Sequence, residues 1–507
     1  MFASVRSAVL CGAEGSPVTV EVHIGSGLPS FTLVGRPDES IRESRDRVRA
    51  AMISSGLAWP QQRITISLAP SQQRKTGSGL DLAVAIGLLA ATGVVPLDAV
   101  HEMAFIGELG LDGSVRPVPG VAPMVGSLGE RRAVVPPGNL REGTVATAGS
   151  VAAAGSLAEL VAILRGEAGW PPPAVESEEA PEPPSPDLAD VRGQPLARRA
   201  LELAAAGGHH LLMVGQPGSG KTMLASRLPG LLPRLDRVQA LEATMVHSAA
   251  GRGLPAGGLI TTPPFRAPHH SSSAMALVGG GSREIRPGEA SLAHRGVLFL
   301  DELAEFGPRV LDGLREPLES GSISVCRAEV RAVLPAAFLL VAAMNPCPCG
   351  LAGTPGACTC DAAAVGRYVR RLSGPLLDRF DLRVWVHRPE VDDMLSADRG
   401  EPSAPVAERV AEARRLALDR QGCLNGDLTA SALDEVAPLA DEARLHLRHE
   451  LERHRLSGRG YHRVRRVART IADTATVPPP VIGLADVVLA LRMRSSLHPD
   501  GRMGRVA

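Results

Sequence analysis

Lysine is nearly missing from this sequence: only Lys75 and Lys221 are lysines, and every other basic residue is arginine. The stretch from 76 to 220 holds none, which excludes a lysine-based catalytic pair anywhere within it. Net charge is missing as well, with 54 basic and 54 acidic residues. No global field therefore draws the chain to nucleic acid or a membrane surface, and any basic surface must be local. No uninterrupted apolar stretch approaches the length of a membrane span, and no basic segment followed by a long apolar one stands at the N-terminus. The expectation is a cytoplasmic protein without membrane contact. Seven cysteines in 507 residues do not make a secreted disulfide framework. That length exceeds one ordinary core and predicts two or three domains, which a hydrophobic content of 44% is enough to fill.

What is present concentrates around residues 210–222. An apolar run, Leu211 to Val214, stops at Gly215 and opens Gly215-Gln-Pro217-Gly218-Ser219-Gly220-Lys221-Thr222. A strand, a glycine-rich turn and a helix in this order form a phosphate-binding loop. Glycines let consecutive backbone N–H groups face phosphate oxygens, and the helix adds its positive N-terminal end. Lys221 reaches the β- and γ-phosphates and Thr222 ligates magnesium, so the ligands called for are ATP and Mg2+. In a chain biased to arginine, lysine at 221 marks a place where a compact ammonium fits between phosphates and a planar fork would crowd them.

About eighty residues beyond Lys221, Gly296-Val-Leu-Phe-Leu-Asp301-Glu302 describes a central parallel strand that delivers two carboxylates at its C-terminal edge. Asp301 would hold magnesium and Glu302 would orient and polarise the attacking water. A third apolar strand, Ala337 to Met344, ends at Asn345, whose amide is placed to bond the γ-phosphate or that water. A turn-forming asparagine before Pro346 accounts for it equally well.

The rest of the chain divides around a Pro- and Glu-rich linker at 169–187. Before it, residues 1–168 carry strand patterns at Val18–Ile24 and Arg63–Leu68 and helical patterns at Glu39–Ser54 and Asp81–Ala91. Their interleaving predicts an α+β or α/β unit. After it come the phosphate-loop unit, 188–395, and a helical unit, 396–507, with helices expected at Val406–Gln421, Ser431–Val436, Asp441–Arg455, Gly460–Thr474 and Gly483–Met493. Arg463, Arg465, Arg466 and Arg469 read as a solvated face, with a basic face for DNA phosphates as the other option. Cys347-x-Cys349-x8-Cys358-x-Cys360 could surround a zinc ion, and a structural zinc knuckle and four free thiols both fit this spacing. His269 and His270 lack a third ligand at metal spacing. Lys75 reads as an exposed structural lysine, with contact to a ligand or phosphate backbone as the other option.

Several segments resemble the magnesium-chelatase-like AAA+ ATPases of the ComM/YifB type, and the resemblance covers nearly the whole chain. In the first unit the carrying residues are Val34-Gly-Arg-Pro-Asp38, Glu43-Ser-Arg45, Leu68-Ala-Pro70, Lys75-Thr-Gly-Ser-Gly-Leu-Asp81 and Gly107-Glu-Leu-Gly-Leu-Asp-Gly113. The second unit adds Asp190-Val-Arg-Gly-Gln194, Phe265-Arg-Ala-Pro-His-His-Ser-Ser-Ser273, Arg286-Pro-Gly-Glu289 and Leu376-Leu-Asp-Arg-Phe-Asp381. The resemblance implies an α/β fold: an AAA+ core with a parallel sheet, a C-terminal helical lid, and a preceding α+β domain similar to the Lon protease domain and the ribosomal S5-like fold.

It also implies a ring, a hexamer, in which Arg379 reaches the ATP of the neighbouring subunit, with an intrachain salt bridge as the other reading of Arg379, and in which a lid arginine senses the nucleotide. Arg459 matches that lid position best, with Arg463 the alternative one turn on. DNA is the implied partner, with translocation or branch migration in recombination or natural transformation, beside competence or recombination proteins. A chelatase-type subunit that remodels a partner protein is the second class. An ATP-dependent peptidase is the third, and it fails on residues: Gly79 stands where the Lon-like nucleophile would be, with Ser78 one place early, and Ala122 where the lysine would be.

Overall fold

The computed structural model describes residues 1–72, 74–147, 149–172, 186–281, 284–326, 331–352, 357–390, 392–393 and 399–494. Most of the expected linker, 173–185, lies outside the described residues.

The N-terminal unit is built on a seven-stranded mixed sheet. Its strands are β1 (Phe2–Cys11), β2 (Glu14–Gly25), β3 (Ser30–Val34), β4 (Arg63–Ala69), β5 (Met103–Phe105), β8 (Arg132–Val135) and β9 (Val151–Ala153), in the order β3-β4-β2-β1-β5-β8-β9. A small ribbon, β6 (Glu108–Leu109) with β7 (Val115–Arg116), lies between β5 and β8 in sequence. Alternation decides which face is covered: Val18, Val20, Val22 and Ile24 of β2 and Ile64, Ile66 and Leu68 of β4 are buried. The helix Asp81–Ala91 crosses this face with all eleven residues buried, which fits its lack of a polar stripe. The helix Glu39–Ser54 begins at Asp38, whose carboxylate accepts from the amide of Ile41 at 2.9 Å.

The second sheet has five parallel strands: β10 (Leu211–Val214), β11 (Phe265–Arg266), β12 (Val297–Leu300), β15 (Leu339–Met344) and β16 (Leu382–Trp385), in the order β11-β12-β15-β10-β16. A hairpin of β13 (Ser322–Cys326) and β14 (Arg331–Pro335) precedes β15. Every residue of β10, β12 and β15 is buried, because both faces of the sheet are covered. Leu211, Met213, Phe299 and Val341 point into one core, which includes the helix Pro195–Gly207 and the C-terminal helices. Leu212, Leu298, Leu300 and Ala342 point into another. The two halves of the chain touch at the helix Arg237–Ala249, where Ser248 accepts the Gly120 amide at its carbonyl (2.9 Å) and the Ala122 amide at its hydroxyl (3.2 Å).

The C-terminal unit is helical: Ser403–Gln421, Ala432–Val436, Asp441–Glu452, Gly458–Asp473 and Leu484–Arg492. The solvated arginine face expected for the fourth of these helices is not what forms. Arg465 and Arg469 are buried, the first paired with Asp434 at 2.7 Å and the second with Asp473 at 2.9 Å. Fully buried Asp473 also takes two bonds from Arg420 at 2.8 Å each and one from Asn425 at 2.8 Å. Lys75 is likewise buried rather than exposed, its ammonium donating to the carbonyl of Pro70. Among the described residues no helix is long and apolar enough to cross a membrane.

Candidate nucleotide-binding site

Parallel strands send the segments that follow them to one edge. Because β15 lies between β12 and β10, that edge gathers Asp301 and Glu302, Asn345, and the loop 215–220 side by side. The loop has the backbone its glycines predict. Gly218 and Gly220 have φ of +76° and +88°, and a Cβ on Gly215 would come within 2.3 Å of the Val386 carbonyl. Gly220 leads into the short helix Lys221–Ala225.

Lys221 is folded back over this loop. Its Nζ donates to the carbonyls of Gly215 (2.8 Å) and Gln216 (2.9 Å) and lies 3.4 Å from Asn345 Oδ1. Burial pushes its pKa down, opposed by the charges of Asp301 and Glu302. Thr222 Oγ1 donates to Asp301 Oδ2 at 2.7 Å. A hydroxyl and a carboxylate already in contact form the hard-oxygen donor pair that suits a magnesium ion, so these residues fit that metal.

Glu302 has a left-handed backbone, φ +52°, at a cost of about 1–2 kcal/mol for a residue with a Cβ. Its amide donates to Asp301 Oδ1 at 2.9 Å, and its carboxylate lies 3.0 Å from His270 Nδ1. The rings of His269 and His270 are 4.1 Å apart between centroids. Sequence reasoning left the role of these histidines unread, because nothing local signals a partner thirty-two residues away. Part of the Phe265–Ser273 segment is thus built into the edge that holds Asp301 and Glu302: Phe265 and Arg266 form β11 beside β12, and Arg266 grips Glu289 with two bonds of 2.6 and 2.9 Å.

Arg379, Arg459 and Arg463 sit at the opposite edge. Asp378 and Asp381 precede β16, which runs parallel to β10, so they lie at the N-terminal ends of the strands. Arg459 Nη1 is 3.8 Å from Asp378, Arg463 Nε is 3.7 Å from Asp381, and Arg379 is paired with Glu319. The four residues of β10, at about 3.3 Å each, put about 13 Å between this edge and the chain's own phosphate loop. Neither Arg379 nor Arg459 is brought to Lys221 within one chain. At this edge a cavity of about 630 Å³ is lined by Arg379, Arg414, Arg463 and Arg466. Its acidic counterpart Asp381 is buried, which raises its pKa, yet the bond from His209 and the charges of His209, His210 and Arg463 leave it lowered.

Cys347, Cys349, Cys358 and Cys360 come together just behind Asn345, with one sulfur from each all within 4.8 Å of one another. In the N-terminal half, Ser78 donates to Glu108 and Asp81 is gripped by Arg47 at 2.6 and 3.0 Å, while Ala122 is buried.

Comparison with known proteins agrees along the chain. Residues 187–394 match the family model of magnesium chelatase, subunit ChlI; residues 20–139 match that of subunit ChlI of Mg-chelatase, and 400–494 that of its C-terminal region. The chain is 46% identical to an uncharacterized protein of Mycobacterium tuberculosis over 97% of its length and 98% of the relative's. It is 42% identical to competence protein ComM of Haemophilus influenzae (93% of this chain, 94% of the other). Identity to uncharacterized protein YifB of Escherichia coli is 43%, with 92% of each covered. With the phosphate loop, the acidic strand and Asn345 on one sheet edge and these matches over almost every residue, the chain belongs to the magnesium-chelatase-like AAA+ family of the ComM/YifB type.

Proposed function

We propose that this protein is an ATP-hydrolysing ring motor that acts on DNA. The observation that carries the hydrolytic part is the convergence of Lys221, Thr222, Asp301, Glu302 and Asn345 on one sheet edge. In this reading Gly215, Pro217, Gly218, Ser219 and Gly220 cradle the phosphates through backbone N–H groups and Lys221 neutralises the β- and γ-oxygens. Thr222 and Asp301 hold Mg2+, which supplies electrostatic stabilisation of the charge developing on the transferred phosphoryl group. Glu302 orients and polarises the attacking water, and Asn345 bonds the γ-phosphate or that water. A zinc ion held by Cys347, Cys349, Cys358 and Cys360 completes the cofactors.

Arg379 belongs to a different copy's site. Its distance from its own phosphate loop supports a ring, read as a hexamer, in which it faces the neighbour's γ-phosphate while Arg459, with Arg463 beside it, carries nucleotide state to the lid. The chain's division is then an N-terminal domain, 1–168, a linker, 169–187, the ATPase domain, 188–395, and the lid, 396–507. The DNA assignment rests on the relative named competence protein ComM. It points to translocation or branch migration of recombination intermediates, beside recombination or competence proteins, in the cytoplasm.

A chelatase-type remodelling role is the second reading, favoured by the family models and by 27% identity to the magnesium-chelatase 67 kDa subunit of Chlorobaculum tepidum over 31% of this chain. The test is ATP turnover with and without single-stranded or branched DNA. Stimulation that disappears in Glu302→Gln supports the motor, and absence of DNA binding at low salt, where phosphate contacts are strongest, removes DNA as the partner.

A further inference from the structure

The thiol cluster and the phosphate loop are in contact. Cys347 follows β15 by three residues and is wholly buried, and Asn345, which reaches Lys221, precedes it by two. The sulfur of Cys347 lies 3.3 Å from that of Cys349 and 3.8 Å from that of Cys358, and Cys349 and Cys358 are 3.7 Å apart. None is at the bonded distance of about 2.05 Å, so these are not disulfides. A tetrahedron of sulfurs about 2.3 Å from zinc has edges of about 3.8 Å, which two of the three separations match. The Ala352 amide donates to Cys347 Sγ at 3.3 Å, the support from behind that metal-bound thiolates use.

Among the described residues, little apolar packing holds this segment. Its apolar core consists of Cys347, Ala352 and Val365 with the other three cysteines packed on them. A cluster that small does not offset the entropy of ordering a loop, and a metal cross-link does. The turn after the second cysteine is made by Gly350, φ +79°, and a Cβ there would stand 2.8 Å from both Cγ and Cδ of Pro217. The backbone of the cysteine loop therefore packs flush on the phosphate loop, and the same Cβ would stand 3.9 Å from Asn345 Cγ.

We propose that a tetrathiolate zinc centre at Cys347, Cys349, Cys358 and Cys360 is a clamp on the nucleotide site. It seats Gly350 against Pro217 and holds Asn345 beside Lys221, so that metal occupancy sets nucleotide affinity. This deepens the proposed ATPase reading and rests on it, since a clamp on the loop matters only if the loop binds nucleotide. The ion is structural: four thiolates close its coordination shell and leave no position for substrate.

The test measures zinc by elemental analysis and affinity with a fluorescent ADP analogue, on the full chain, before and after 1,10-phenanthroline in excess magnesium. The expected result is one zinc per chain, an affinity at least tenfold weaker after zinc removal, and recovery on adding zinc but not more magnesium. Far-UV circular dichroism of the stripped protein checks that it stays folded. Gly350→Ala provides a second route that keeps all four thiols: it should retain stoichiometric zinc and still lose nucleotide affinity at least fivefold, because its Cβ pushes on Pro217. Purified protein that neither contains nor takes up zinc under reducing conditions would overturn the centre. Zinc-loaded protein that loses no affinity on stripping, or Gly350→Ala that binds as wild type, would overturn the clamp while leaving the ATPase reading intact. Zinc-loaded wild type that binds no nucleotide at all would remove both.

Discussion

The separation of Arg379 from Lys221 makes a prediction that a monomeric ATPase does not share. Both belong to the proposed reaction, yet within one chain they stand on opposite edges of a sheet about 13 Å deep. Each complete site must then combine one subunit's phosphate loop with the next subunit's arginine. Lys221→Ala removes the phosphate-binding ammonium and Arg379→Ala the trans charge, and an arginine of this kind is worth roughly 10³–10⁵ in turnover. Each variant alone is expected to release almost no phosphate from ATP. In a one-to-one mixture assembled at random, a site is whole when its loop comes from the arginine variant and its facing arginine from the lysine variant. That holds for about one site in four, so the mixture should recover about a quarter of wild-type turnover in a coupled phosphate-release assay. Activity in Arg379→Ala alone, or a mixture no more active than its components, would refute the trans assignment and leave the pairing of Arg379 with Glu319 as its whole role.

Three further outcomes follow from individual contacts. His270 Nδ1 lies 3.0 Å from the Glu302 carboxylate and occupies an oxygen that the attacking water would need, so His270→Ala is expected to raise basal ATP turnover a few-fold and to shrink any stimulation by DNA; a fall in turnover would mean that the histidine orients the carboxylate instead. Asp473→Ala strips a buried carboxylate from Arg420, Arg469 and Asn425 and should cost about 3–5 kcal/mol in urea unfolding, since it removes the counter-charge that two guanidinium groups share. His210 is partly buried at the wall of the arginine-lined cavity and accepts the Leu340 amide at Nδ1, and desolvation lowers its pKa to about 4. Its neutral form is favoured in the fold, so the unfolded chain takes up a proton below about pH 6.5 while the native chain waits until about 4. Stability from this residue should fall by up to about 3 kcal/mol as pH drops through that window, and His210→Gln should flatten that part of the profile in denaturant titrations.

Local pattern carried a large share of the architecture. The helices Glu39–Ser54 and Asp81–Ala91 were readable to the residue, because the first has a capping aspartate and the second an unbroken apolar stretch ending near Gly93. The phosphate loop, the acidic strand and Asn345 were readable because each follows an apolar run that stops abruptly, at a glycine in the first case and at a polar side chain in the other two. What escaped was set by partners far away in sequence. Arginines at 465 and 469 look like a solvated face until Asp434 and Asp473 are known to be behind them. Lys75 looks exposed until the fold closes over it, and His270 has no local mark of its approach to Glu302. The lid arginine was matched by position, and only the strand order reveals that it stands on the edge away from its own loop.

Whether the edge formed by Lys221, Thr222, Asp301, Glu302 and Asn345 hydrolyses ATP is decided by phosphate release from the purified chain with Mg2+ and ATP, set beside Glu302→Gln. The expected result is turnover by the wild type and a loss of roughly 10²–10⁴ in the variant, with nucleotide binding retained because the carboxylate acts on water rather than on phosphate. A Glu302→Gln protein that hydrolyses ATP as fast as wild type would contradict it.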